Sequence, residues 1–181
     1  MNYLILRTRD FTPEQYQAVY ETLSASRKAH IDTFRHGLTR QQSLAGELAL
    51  RQLLAREGID AVPIRLSSGQ PALDGSDLYV SITHCDDLVA CALDERPIGI
   101  DAERIKSVKP GMAQRICTAR ELAYVADSEE RFFEIWTAKE AWFKMQGTGI
   151  TDFQAVDTLA LPRKLIRRED YLIQVVYTPK R

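Results

Sequence analysis

No Cys-x-x-Cys pair occurs in this sequence, and its three cysteines, Cys85, Cys91 and Cys117, are an odd number at irregular spacing. That speaks against a disulfide framework and a structural zinc site, and predicts buried thiols. No apolar run is long enough to span a bilayer, and the apolar stretch within Met1-Asn-Tyr-Leu-Ile-Leu-Arg7 is too short for a signal peptide. The expectation is a cytoplasmic chain with no membrane partner. Neither sign of charge is in excess: 24 Lys and Arg against 25 Asp and Glu leave a net charge of −1. The bulk basicity of a nucleic-acid binder is therefore missing, and any charged partner has to be met locally. Low-complexity segments are missing too. What is present is an ordinary globular composition, 45% hydrophobic and 27% charged over 181 residues, enough for one domain or two small ones with a real core.

Local signals place the elements. Tyr3 to Arg7 reads as a strand, and Thr12-Pro-Glu-Gln15 supplies an N-cap, a first-turn proline and a capping partner for a helix from about Pro13 to Ser24. From Gln41 to Glu57, Leu44, Ala45, Leu48, Leu53 and Leu54 suit one helix face, with Gly58 to stop it. Ile64–Ser67, Leu78–Thr83 and Leu88–Leu93 read as an antiparallel meander with turns at Asp74-Gly75 and Asp86-Asp87, and Ile98–Glu103 as a further strand. Thr118-Ala-Arg-Glu121 and Asp127-Ser-Glu-Glu130 have capping-box form and open a short helix and then a longer one ending at Gly147. Phe153–Leu159 and Tyr171–Tyr177 read as closing strands, joined by a basic loop with Arg163, Lys164, Arg167 and Arg168. The fold class is α+β. Each half holds a long helix and several strands, a rough doubling that predicts two similar α+β halves, residues 1–97 and 98–181, packed face to face around a cleft.

Two segments carry chemistry. In Ile98-Gly-Ile-Asp-Ala-Glu103, Asp101 and Glu103 are two apart, so on a strand both leave one face. In Trp136-Thr-Ala-Lys-Glu-Ala-Trp-Phe-Lys144, Glu140 and Lys144 are four apart and stack on one helix face. Mg2+ takes oxygen ligands, a few carboxylates completed by phosphate and water, and Asp101, Glu103 and Glu140 fit that description; Lys139 and Lys144 supply point charges for a diphosphate. Alone, Asp-x-Glu at a strand end is commonly solvated and a Glu-Lys pair is a routine surface pair. The flanks shift that balance: Gly99 permits close approach of a backbone or ligand, and Trp136, Trp142 and Phe143 pin the charged helix to a core. In Ser81-Ile-Thr-His84, Thr83 and His84 point to opposite faces of a regular strand unless the following turn brings them together. The basic run Arg27, Lys28, Arg35, His36 and Arg40 is either a solvated face or a phosphate site.

Taken together, Gly69-Gln-Pro71, Ser81-Ile-Thr-His84 and the two segments above closely resemble the ordered signature of the 4'-phosphopantetheinyl transferases, of the Sfp-like single-chain pseudo-dimeric type, over roughly Arg27 to Ile150. The resemblance implies two similar halves with coenzyme A in the cleft between them. It also implies transfer of the phosphopantetheine arm to a serine of an apo acyl or peptidyl carrier protein, with release of 3',5'-adenosine bisphosphate. Asp101, Glu103 and Glu140 would hold Mg2+, Lys139 and Lys144 would contact the phosphates, and Lys144 would face the departing bisphosphate. Thr83 and His84 match the family's Ser-His pair that meets the coenzyme A phosphates. Arg27 and Arg35 fall in the stretch that holds the 3'-phosphate or adenine end. Gln70 stands where the family usually has lysine, which removes one cation from the nucleotide pocket. The base that deprotonates the acceptor serine is Glu140, directly or through a metal-bound water, or Glu121. Arg104, Lys106, Lys109, Arg115 and Arg120, with Met112 and Ile116, would suit an acidic carrier. A monomer is expected, since both halves of the cleft lie in one chain. The competing readings are a Mg2+-dependent nucleotide diphosphate hydrolase and a non-catalytic coenzyme A or carrier-protein binding module.

Overall fold

Residues 1–66 and 68–180 are described in the computed structural model, and the chain divides into two units, Met1–Glu95 and Arg96–Arg181. The first runs β1 (Asn2–Arg7), α1 (Pro13–Glu21), α2 (Ala25–Asp32), α3 (Gly37–Arg56), β2 (Val62–Arg65), β3 (Pro71–Asp74), β4 (Tyr79–Cys85) and β5 (Leu88–Asp94). Thr12 caps α1 as its spacing predicts: the Gln15 N–H donates to Thr12 Oγ1 at 3.3 Å and the Thr12 N–H to Gln15 Oε1 at 2.8 Å. α2, which the sequence reading lacked, is capped by Ser24, whose hydroxyl accepts from the Arg27 N–H. α3 lays Ala45, Ala49, Leu50 and Leu53 against Val89, Cys91 and Leu93 of β5.

The expected meander is corrected. β4 and β5 form a hairpin, but β5 pairs on its other side with β1 (Leu4↔Cys91), giving the order β1-β5-β4. β2 belongs to a separate ribbon with β3 (Ile64↔Ala72), a four-residue strand opened by a proline and too short to register as one. β2 ends at Arg65; Ser67, the last residue of the predicted strand, lies outside the described residues.

The second unit runs β6 (Ile98–Arg104), α4 (Met112–Ile116), α5 (Ala119–Val125), α6 (Glu129–Gln146), β7 (Arg163–Arg168) and β8 (Tyr171–Tyr177), with the antiparallel order β6-β8-β7. Three expectations change here. The cap of α6 is Ser128, which accepts from the Arg131 N–H, because Asp127 turns into the left-handed region at φ 64°. Phe153–Leu159 is not a strand: Asp152 and Asp157 accept from the N–H groups of Gln154 and Leu159 at 2.9 and 3.0 Å, which closes two 3-10 turns. The basic segment expected as a loop is the strand β7 itself. It lies at the edge of the sheet, where rows of cations discourage pairing with another chain.

The doubling has a topological form. In each unit a first strand is followed by the longest helix and then a hairpin, and the first strand pairs with the hairpin's second strand: β1, α3, β4, β5 in one and β6, α6, β7, β8 in the other. Among the described residues no helix is long and apolar enough to cross a membrane. Cys91 and Cys117 are buried and Cys85 half-buried, none of them in a disulfide. Burial pushes Cys91 up to about 12 and Cys117 up to about 11, so both are inert at neutral pH.

Candidate active site

α6 crosses β6 in near contact because residue 99 has no side chain. A Cβ on Gly99 would stand 1.8 Å from the Ala141 carbonyl oxygen and 2.8 Å from the Met145 nitrogen. The close approach predicted from sequence is thus made by the backbone of α6. With Gly99 facing the helix, Asp101 and Glu103 face it too, since alternate strand residues share a face. Two strand residues advance about 6.8 Å and four helix residues about 6.0 Å, so Glu103, Asp101 and Gly99 keep pace with Trp136, Glu140 and Lys144.

Each acid is met by a group from that stripe or its neighbourhood. Lys144 Nζ lies 2.7 Å from Asp101 Oδ1 and donates also to the Ile100 carbonyl at 3.3 Å. The Trp136 indole N–H donates to Glu103 Oε1 at 3.3 Å, and Lys106 Nζ approaches Glu103 Oε2 at 3.8 Å. Glu140 is half-buried, and burial, then the charge of Asp101 and of Glu103, push it up to about 7 against the opposing pull of Lys144. Gly147, at φ 70°, ends the helix just past Lys144.

Among the described residues no three His, Cys, Asp or Glu side chains already stand close enough to hold a metal ion. In donor chemistry the set nevertheless fits a hard cation: three carboxylates, one of which, Glu140, is pushed up to about 7 by its burial and by the charge of the other two. Lys144 stands on Asp101 as the local counter-charge.

Lys139 and Glu121 are placed elsewhere. Both are fully buried, with Lys139 Nζ 2.7 Å from Glu121 Oε2 and donating to the carbonyls of Phe153 and Val156 at 2.7 and 2.6 Å. Those contacts use the three donors of the ammonium, and a phosphate contact would have to break one. Glu121 accepts in addition from the N–H of Thr118 and from the N–H and hydroxyl of Thr158. Its burial raises its pKa, but these hydrogen bonds win and hold it below the usual carboxylate range. Ile116, expected on a docking face, is also buried, at 5% exposure.

In the first unit Thr83 and His84 keep to opposite faces of β4: Thr83 is buried opposite Ala90, and His84 is exposed opposite Val89. The turn after them does not bring them together. Arg27 donates to Ser43 Oγ at 2.7 Å and to Glu47 Oε1 at 3.3 Å, and Arg65 meets the same Glu47 oxygen at 2.6 Å. This cluster divides two cavities of about 770 and 240 Å3 that share Arg27, His30, Arg65 and Gly69, and the smaller is also lined by Ser43 and His84. Arg35 is exposed between α2 and α3, and Gln70 accepts from Ser68 Oγ at 3.2 Å within a local turn; neither lines these cavities. Glu47, Ser43 and Arg65 were missed. The available signal was a carboxylate on the otherwise apolar stripe of α3.

The family described as the 4'-phosphopantetheinyl transferase superfamily matches residues 97–176. The chain is 28% identical over 159 residues to the 4'-phosphopantetheinyl transferase Sfp of Bacillus subtilis, an alignment that covers 82% of this chain and 71% of that relative. It is 29% identical to the 4'-phosphopantetheinyl transferase HetI of Nostoc, covering 84% and 71%. It is 30% identical to enterobactin synthase component D of Escherichia coli, covering 74% and 69%.

Proposed function

Because the chain belongs to the 4'-phosphopantetheinyl transferase superfamily, we propose that it moves the phosphopantetheine arm of coenzyme A to a serine of an apo acyl or peptidyl carrier protein, in a Mg2+-dependent reaction that releases 3',5'-adenosine bisphosphate. The observation that carries this reading is the α6–β6 face, where the close approach at Gly99 sets Asp101 and Glu103 of β6 against Glu140 and Lys144 of α6. Bound by Asp101, Glu103 and Glu140, Mg2+ would neutralise the diphosphate and polarise the bond that breaks.

The remaining work falls to side chains of this chain, and in phosphoryl transfer it is mostly positioning and charge neutralisation. Lys144, a third exposed and able to leave Asp101, meets the charge that grows on the departing bisphosphate. The attacking serine hydroxyl loses its proton to Glu140, directly or through a bound water. Glu121, sealed in its ion pair, is kept to a structural role, and so is Lys139. On the first unit Arg27 and His84 contact coenzyme A phosphates, with Arg35, Gln70 and Thr83 as weaker contributors given their surroundings. An acidic carrier docks on exposed cations around α4 and α5, Arg115 and Arg120 among them. The protein works as a monomer in the cytoplasm.

Mass spectrometry of apo carrier proteins incubated with the chain, coenzyme A and Mg2+ tests the reading. A mass gain of one phosphopantetheine group on the carrier serine is expected, with no cleavage of coenzyme A when carrier is omitted. No gain on several unrelated carriers, or equal cleavage without them, overturns it.

A further inference from the structure

Trp136 stands four residues before Glu140 on α6, and its indole N–H reaches Glu103 Oε1 at 3.3 Å. We propose that Trp136 is a positioning residue that sets the Glu103 carboxylate for cation binding, an inference that rests on reading Asp101, Glu103 and Glu140 as the Mg2+ ligands. The ring cannot easily turn away. It stacks on Phe153 with centroids 5.1 Å apart and planes at 27°, and on Phe132 at 6.3 Å and 27°. Phe132 is itself 1% exposed and packed edge-on against Phe133.

The chemistry of the donor matters as much as its fixity. An indole donates one hydrogen bond, accepts none and carries no charge. It therefore engages one oxygen of Glu103 without neutralising the charge that a cation would bind. Lys144 on Asp101 does the opposite, supplying a positive charge that a metal must replace. Glu103 shares the helix-facing side of β6 with Asp101, and its charge reaches Glu140. The hydrogen bond from Trp136 thus restricts the torsions of Glu103 on the face of β6 that it shares with Asp101. Ordering those torsions before the ion arrives removes an entropic cost from binding.

Trp136→Phe keeps an aromatic ring for the stack with Phe132 and Phe153 and removes the donor. Titration of Mg2+ into the protein with coenzyme A present and carrier absent, corrected for a coenzyme A blank, should show about tenfold weaker binding in the variant, with the melting temperature and circular dichroism retained. Equal Mg2+ affinity in a folded Trp136→Phe overturns the inference. Absence of Mg2+ binding by the wild type overturns the underlying assignment of ligands instead. Should the variant fail to fold, the wild-type indole 15N–1H signals answer the same question: the Trp136 signal shifts as Mg2+ saturates and that of Trp142 stays. A Trp136 signal that ignores saturating Mg2+ overturns the inference.

Discussion

Lys144 lies across Asp101 at 2.7 Å, a cation laid on a face that carries three carboxylates. It is the group that restrains the upward shift of Glu140, which burial and the two acids of β6 otherwise drive. Lys144→Met should therefore move Glu140 further above 7, by about one pH unit. A carbon-13 titration of the Glu140 carboxyl measures this directly, and an unchanged or lower midpoint would show that the lysine does not act on that group.

Mg2+ must displace a proton wherever Glu140 is protonated. Below about 7 the apparent Mg2+ affinity should fall, approaching tenfold per pH unit, and above it the affinity should level off. Calorimetry in two buffers of different ionisation heat should detect about one proton released at pH 6 and little at pH 8. Identical heats in both buffers at pH 6 would count against Glu140 as a ligand.

Gly99→Ala puts a methyl group 1.8 Å from the Ala141 carbonyl oxygen, a clash of rigid backbone with rigid backbone. Loss of about 3 kcal/mol or more of stability is expected, measured by urea unfolding. Gly37→Ala is the control. Nothing lies within 4 Å of that position, and the first turn of α3 should gain a few tenths to about 1 kcal/mol.

Lys139→Met strands Glu121 in a fully buried site, at a cost of about 3–5 kcal/mol. The double variant Lys139→Met with Glu121→Leu should recover part of it, because no lone charge is left behind. Acid sensitivity has a matching sign. Glu121 sits below its unfolded value of about 4.3, so its contribution is complete above that pH and disappears as pH falls through the folded value. Glu121→Gln should be less stable at neutral pH yet lose less on acidification; a wild-type acid slope in that variant would show that Glu121 has no part in it.

The sequence exposed what local rules govern. The capping boxes at Thr12 and Thr118, the stop at Gly147 and the shared face of Asp101 and Glu103 all follow from spacing and residue type. It misled where a side chain competes with the ladder, as Asp152 and Asp157 do. It misled again where an edge strand is written in cations, so that Arg163–Arg168 looked like a loop. On α6, charge and order singled out Lys139, Glu140 and Lys144 together, but nothing in a one-dimensional reading separates Lys139, buried against Glu121, from the two that face β6, because that depends on which way the helix is turned. Glu47, holding Arg27 and Arg65 at once, needed three elements to be brought together before it could be seen.

Lys139 and Glu140 are adjacent, and successive helix positions differ in bearing by about 100°. Lys139 is tethered to Glu121 and to two carbonyls, while the opposite constraint is the seat of Ala141 on Gly99. Between them they act as a rotational lock on α6. The heading of Glu140 toward β6 is thus not a property of Glu140; it is dictated by an anchor that never meets the solvent. A scan of this segment that counts lost activity will score the anchor and the proposed base alike, and only a measurement of folding will tell them apart.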